Sequence, residues 1–177
     1  MKTIFVNWHG PFAYEEIKNR HHYLSGDSTK YLEGNGLYAI TGSVKYQRGK
    51  PILQYIGITE KPYAERFRNH HILEKVTRDV NFWLGKVVNS AGATRKDFED
   101  AEYIMVFFNS AAPLNERKGV NPPKFECSVI SKFFKGNKMI PYKNVPAIVH
   151  DLPEVMIWNP ETLELQYCRK LKIFKLE

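Results

Sequence analysis

Two apolar runs, GLYAITGSV at 36–44 and PILQYIGIT at 51–59, stand on either side of the polar hexapeptide KYQRGK. Their β-branched and aromatic content and the short polar joint between them predict an antiparallel hairpin. Side chains alternate along an extended chain, so Gly36, Tyr38 and Ile40 share one face of the first strand. Tyr55 and Gly57 share a face of the second in the same way. Each strand therefore sets a tyrosine beside a glycine, and a glycine inside a strand lets another group approach the sheet closely.

The segment after the hairpin, KPYAERFRNHH, opens with Pro62, which suits the first turn of a helix running to about Val76. Residues spaced i, i+3, i+4 and i+7 share a helix face, and here these are Tyr63, Arg66, Phe67 and His70. The two aromatic rings turn that stripe inward and carry an arginine and a histidine with them. A guanidinium taken out of water needs a carboxylate, a phosphate or an open cleft. Further on, KFECSVISKFF after Pro123 also reads as a helix, with Glu126 heading the stripe Val129, Ile130 and Phe133. A carboxylate there suits the helix dipole, and it also suits a hard metal ion.

The remaining elements follow from the same periodicities. KTIFVNW alternates as a strand and PFAYEEIKNRHHYL resembles a short helix opened by Pro11. SGDSTKYLEGN is a polar loop. NFWLGKVV fits a helix or a strand, AEYIMVFF reads as a strand, and NSAAPLNERKGVNPP as a loop. EVMIW and LELQYCRKLKIF form two closing strands about the turn NPET. The expected fold is one α+β domain over 1–177: a small, mostly antiparallel sheet flanked by helices. A chain of 177 residues is a natural length for a single domain.

Charge narrows the partner. The formal net charge is +7. Residues 41–80 hold eight Lys/Arg against four Asp/Glu, and 121–150 hold five against one, so each carries +4. A basic excess concentrated in two segments suits a polyanion such as nucleic acid. No apolar run reaches the roughly 18–20 residues of a membrane span, and MKTIFVNWHG lacks a small-residue cleavage site. Only Cys127 and Cys168 are present, not at a metal-binding spacing, which fits a reducing cytoplasm.

The ordered set GLY at 36–38, YIG at 55–57, Arg66 with His70 as R-x-x-x-H, and Glu126 opening a later helix resembles the GIY-YIG nuclease superfamily. The likeness spans roughly 35–145, with leucine replacing isoleucine at 37, and leaves an N-terminal extension (1–34) and a C-terminal β extension (146–177) unmatched. The family's late asparagine falls on Asn144, in PYKN, or on Asn137; Asn144 is preferred. The resemblance implies a metal-dependent endonuclease acting on double-stranded DNA, of restriction or mobile-element type, with RNA and a homodimer left open. It implies Mg2+ (or Mn2+) on the single carboxylate Glu126, a phosphate on Arg66, Tyr38 as base or water-positioner, His70 as its helper, and Tyr55 orienting water or phosphate. Lys61, Arg68, Lys124, Lys132, Lys135, Lys138 and Lys143 would then line a DNA groove. Two rivals stay open: a catalytically inactive nucleic-acid-binding module on the same fold, and an interaction protein carrying a fortuitous motif.

Overall fold

The computed structural model describes residues 1–18, 36–88, 92–109, 112–115, 121–136 and 138–170. Seven strands dominate it: β1 (Lys2–Phe12), β2 (Gly36–Val44), β3 (Ile52–Thr59), β4 (Val76–Val87), β5 (Cys127–Lys135), β6 (Val155–Asn159) and β7 (Glu164–Cys168). They form one sheet in the order β3-β2-β4-β1-β5-β6-β7, parallel only between β1 and β5. The described α-helices are short: α1 (Tyr14–Lys18), α2 (Tyr63–Arg68) and α3 (Arg95–Phe107). No helix among the described residues is long and apolar enough to cross a membrane.

This corrects the expected fold class. The protein is mostly β, built on a seven-stranded mixed sheet, rather than a small sheet flanked by helices. The chief cause is KFECSVISKFF. Cys127, Val129 and Phe133 all lie on one buried side at a spacing of two, with Ser131 between them, and the segment forms β5 beside β1. Its apolar residues satisfy a strand period as well as a helical one, and parallel pairing with the alternating KTIFVNW settles the choice. The converse error falls on AEYIMVFF, which is the second half of α3. There a capping box decides: Thr94 accepts from the Asp97 backbone N–H while the Asp97 carboxylate accepts from that of Thr94. Once started, the helix runs through residues that composition alone assigns to a strand.

Smaller differences have similar causes. NFWLGKVV belongs to β4. α1 covers only Tyr14–Lys18, Pro11 lies within β1, and the polar loop 25–35 lies outside the described residues. α2 stops at Arg68, followed by a 3-10 turn over His71–Glu74.

The hairpin is present as expected, with Tyr38 opposite Gly57 and Ile40 opposite Tyr55. The sheet is covered on both faces over this part. One face packs Leu37, Ala39, Ile56, Trp8 and Trp83 against α3 residues such as Ala101, Ile104 and Met105. The other packs Tyr38, Ile40, Phe82 and Leu84 against Ile17 of α1 and against Tyr63 and Phe67 of α2.

Candidate active site

Pairing Tyr38 with Gly57 decides the local geometry. A Cβ built on Gly57 would lie 2.6 Å from the Tyr38 hydroxyl and 2.7 Å from a ring carbon of Tyr55, so glycine is required for the two rings to lie over the strand. The rings stack with centroids 5.9 Å apart, and the His70 imidazole stands edge-on to both, at 5.5 Å from Tyr38 and 5.2 Å from Tyr55. Arg66 reaches in from α2 and donates its Nε–H to the Tyr38 hydroxyl at 3.1 Å. Tyr38, Tyr55, Arg66 and His70, separated by up to 32 positions in sequence, thus form one cluster.

The hydrogen bonds of His70 fix its tautomer. Its Nδ1 accepts the backbone N–H of Ile72 at 3.3 Å, capping the 3-10 turn that follows. A neutral ring with Nδ1 so occupied carries its proton on Nε2, which then donates to the Tyr38 oxygen 2.7 Å away. Burial, then the Arg66 charge and His71, hold the imidazole pKa down to about 4, so the ring is neutral at pH 7. Two N–H donors therefore converge on one phenolic oxygen. Burial foremost, and next the Tyr55 hydroxyl, push the Tyr38 pKa upward, while the Arg66 hydrogen bond and charge pull it back. At rest Tyr38 is a neutral phenol, fully buried at 0% exposure. Charge that developed on its oxygen would meet donors already in place.

Glu126 is not brought to this cluster. It immediately precedes β5, not inside a helix, and its carboxylate pairs with the Met1 amino group at 3.1 Å with 45% of its side chain exposed. Phe134, His9, Leu84 and Tyr38 lie in line across the sheet. Glu126 stands eight residues back from that line, about 26 Å along the strand at ordinary strand rise. Among the described residues no group of three or more His, Cys, Asp or Glu is poised to hold a metal. Asn144 is exposed in the loop after β5, and Asn137 lies outside the described residues.

The basic residues do not all share one groove either. Lys61 and Arg68 are exposed around α2, beside the cluster. Lys132 and Lys135 lie on β5 over the rings of Phe134 and Tyr142, and Lys138 and Lys143 follow in the exposed loop. Lys124 precedes β5 at its opposite end.

One residue passed over in the sequence supports the strand that carries Tyr55. Asn115 donates its amide N–H to the Ile56 carbonyl at 2.6 Å and accepts the Ile56 N–H at 2.8 Å, so it pairs with the open edge of β3 as a further strand would. Glu102 lies on α3 on the same stripe as Phe98 and Met105, at i, i+4 and i+7 from Phe98, and is 4% exposed. Phe98 lines a cleft with Arg66, and α3 packs on β3 and β2, the strands of the two tyrosines. Glu102 therefore lies on the face of the sheet opposite Tyr38. Compared with known proteins, the chain matches no family model, no curated protein and no solved structure.

Proposed function

We propose that this chain is a nuclease hydrolysing phosphodiester bonds of DNA, as its GIY-YIG-like residues imply. The observation that carries the reading is the Arg66–Tyr38–His70 cluster over Gly57. Arg66 is only partly buried and meets phenolic oxygens, with no carboxylate partner among the described residues. A partly desolvated guanidinium of this kind suits a phosphate, which it binds through a planar fork. Binding there would bring a phosphate against the Tyr38 hydroxyl. His70 orients that hydroxyl and Tyr55 fills the space beside it.

The family resemblance implies a divalent ion. Glu126 does not fit as its holder, because it lies at the far end of β5 in an ion pair with the chain terminus. Glu102 does not fit either: it is 4% exposed on α3, which packs on the face of the sheet opposite Tyr38.

The test is incubation of purified protein with supercoiled plasmid at low salt, with Mg2+, with Mn2+ and with chelator. Metal-dependent nicks or linear product, lost in Arg66→Ala, support the reading; intact plasmid in every lane defeats it. The burial of Tyr38 favours one second reading, a nucleic-acid-binding module without turnover. Retarded but uncut DNA would identify that case.

A further inference from the structure

Three clefts adjoin along α3. The first, of ≈ 450 Å³, contains Arg66, Lys61, Arg95 and Phe98. The second, ≈ 410 Å³, shares Ile58 and Arg95 with the first and continues past Lys96 to Tyr103. The third, ≈ 760 Å³, shares Tyr103 and Asn121 with the second and ends at Lys124 and Phe125. Shared lining makes them one groove that leads away from Arg66. From Arg95 to Tyr103 it follows eight residues of helix, about 12 Å.

Its chemistry alternates cations with rings. Arg66, Arg95, Lys96 and Lys124 supply charge, and Phe98, Tyr103 and Phe125 supply aromatic surface. Tyr103 and Phe125 stand 6.3 Å apart at 60°, with the Lys96 ammonium 4.9 Å over the Phe125 ring. The acids of the groove do not oppose an anion outright, because they already hold its cations: Glu60 and Glu99 pair with Arg95, and Asp100 pairs with Lys96 and Lys2. Exposed pairs of this kind contribute little net free energy, so Arg95 can exchange a carboxylate for a phosphate at small cost.

We infer that this groove is the track of one unpaired DNA strand, threaded along α3 with its phosphates on Arg95, Lys96 and Lys124 and its bases against Tyr103 and Phe125, leading to the phosphate on Arg66. The inference rests on the reading of Arg66 as a phosphate ligand. Cleft volumes of a few hundred cubic ångströms match small-molecule sites, large enough for a nucleotide at a time. Cations tracking a backbone beside rings that accept any base are the usual means of holding a single strand.

Fluorescence anisotropy with a labelled 12-mer of oligo-dT and a labelled 12-base-pair duplex, over a series of salt concentrations, tests this. The full chain should bind oligo-dT more tightly than the duplex. Arg95→Gln and Lys124→Gln should each shallow the log K against log[salt] slope by about 0.7. Tyr103→Leu should weaken oligo-dT binding about tenfold while Tyr103→Phe keeps it, as loss or retention of one stacked base requires. Glu99→Gln, which releases Arg95, should tighten binding. Duplex binding equal to or tighter than oligo-dT, or slopes unchanged in both glutamine variants, overturns the proposal. Arg95 and Lys124 are exposed, so those variants decide the matter even if a tyrosine variant fails to fold. Plasmid cleavage with unaffected groove variants would remove the groove and leave the nuclease; groove-dependent binding without cleavage would do the reverse.

Discussion

Two places among the described residues turn charge inward and are built differently. At the start of β1, Lys2 sends its ammonium between Asp97 at 2.7 Å and Asp100 at 2.9 Å, both nearly fully buried in the first turns of α3. Lys96 closes the other side of Asp100. Each cation there meets a carboxylate, and the cluster ties the first strand to the longest helix. At α2, by contrast, Arg66 meets phenols and its charge is left uncompensated by any acid among the described residues. Inward charge therefore does not by itself mark a site. What distinguishes a site is an inward charge whose counter-ion the fold does not supply.

The largest effects should separate these clusters by readout. Arg66→Ala should lower plasmid cleavage by about 10²–10³-fold, the usual loss for a preorganised donor to a reacting group. Arg66→Lys should recover little, because a point charge does not replace a fork. Thermal melts of both should stay near that of the parent. Full cleavage by the lysine variant would place Arg66 outside the chemistry and erase the contrast.

Asp97→Ala should act in the opposite sense. It removes the partner of Lys2 and half of the capping box of α3, for a loss of about 2–4 kcal/mol in denaturant unfolding. Surviving protein should cleave at the parent rate. A variant as stable as the parent would mean that the Lys2 cluster is dispensable.

Protonation distinguishes the clusters by pH window. The folded pKa of His70, about 4, lies below its ordinary 6.5, so as pH falls from 6.5 toward 4 the unfolded chain takes up the proton first and stability declines. The loss attributable to it is of the order of 3 kcal/mol. Burial works against ionisation of Asp97, yet Lys2 and the Thr94 backbone and hydroxyl hold its pKa down to about 2, below the ordinary 3.8. Its contribution, about 2 kcal/mol, is present above pH 3.8 and is lost as pH falls from there toward 2. Unfolding free energies of His70→Gln and Asp97→Asn across pH 7 to 2 should each lose only their own window. A remnant between pH 6.5 and 4 in His70→Gln belongs to His9, whose pKa burial also lowers.

How far this was legible in the chain depends on the range of the interactions. The hairpin, the tyrosine–glycine faces and the inward placement of Arg66 follow from periodicities of two and 3.6, which adjacent residues express, whereas His70 lies beyond the end of α2 as the cap of the next turn. Placing the four residues together followed from Tyr38 pairing opposite Gly57, a register that the hairpin fixes. The fold class failed because ECSVISKFF and AEYIMVFF each satisfy both periods. Their choice is made by a strand 125 positions away in Thr3–Ser128 and by a cap at Thr94, respectively. Glu126 was misplaced with its element. Asn115 carried no local sign, because its role is to pair with an edge 59 residues earlier.

The smallest effect sharpens the comparison most. If Glu126 held the metal, Glu126→Ala would abolish cleavage. In the fold its carboxylate lies 3.1 Å from the Met1 amino group, half exposed, at the opposite end of β5 from the residues in line with Tyr38. An exposed pair of this kind contributes roughly 0–1 kcal/mol. Glu126→Ala should therefore leave both cleavage and Mg2+ dependence at the parent level, with a shift in unfolding free energy of about 0.5 kcal/mol or less. Glu102→Gln should likewise leave cleavage near the parent level, because its carboxylate is 4% exposed on α3, across the sheet from Tyr38. A stability control on each substitution keeps folding out of the comparison. Loss of cleavage in Glu126→Ala would return the metal to the end of β5. That outcome would require the active assembly to bring Glu126 and Tyr38 together by some route other than the single-chain fold.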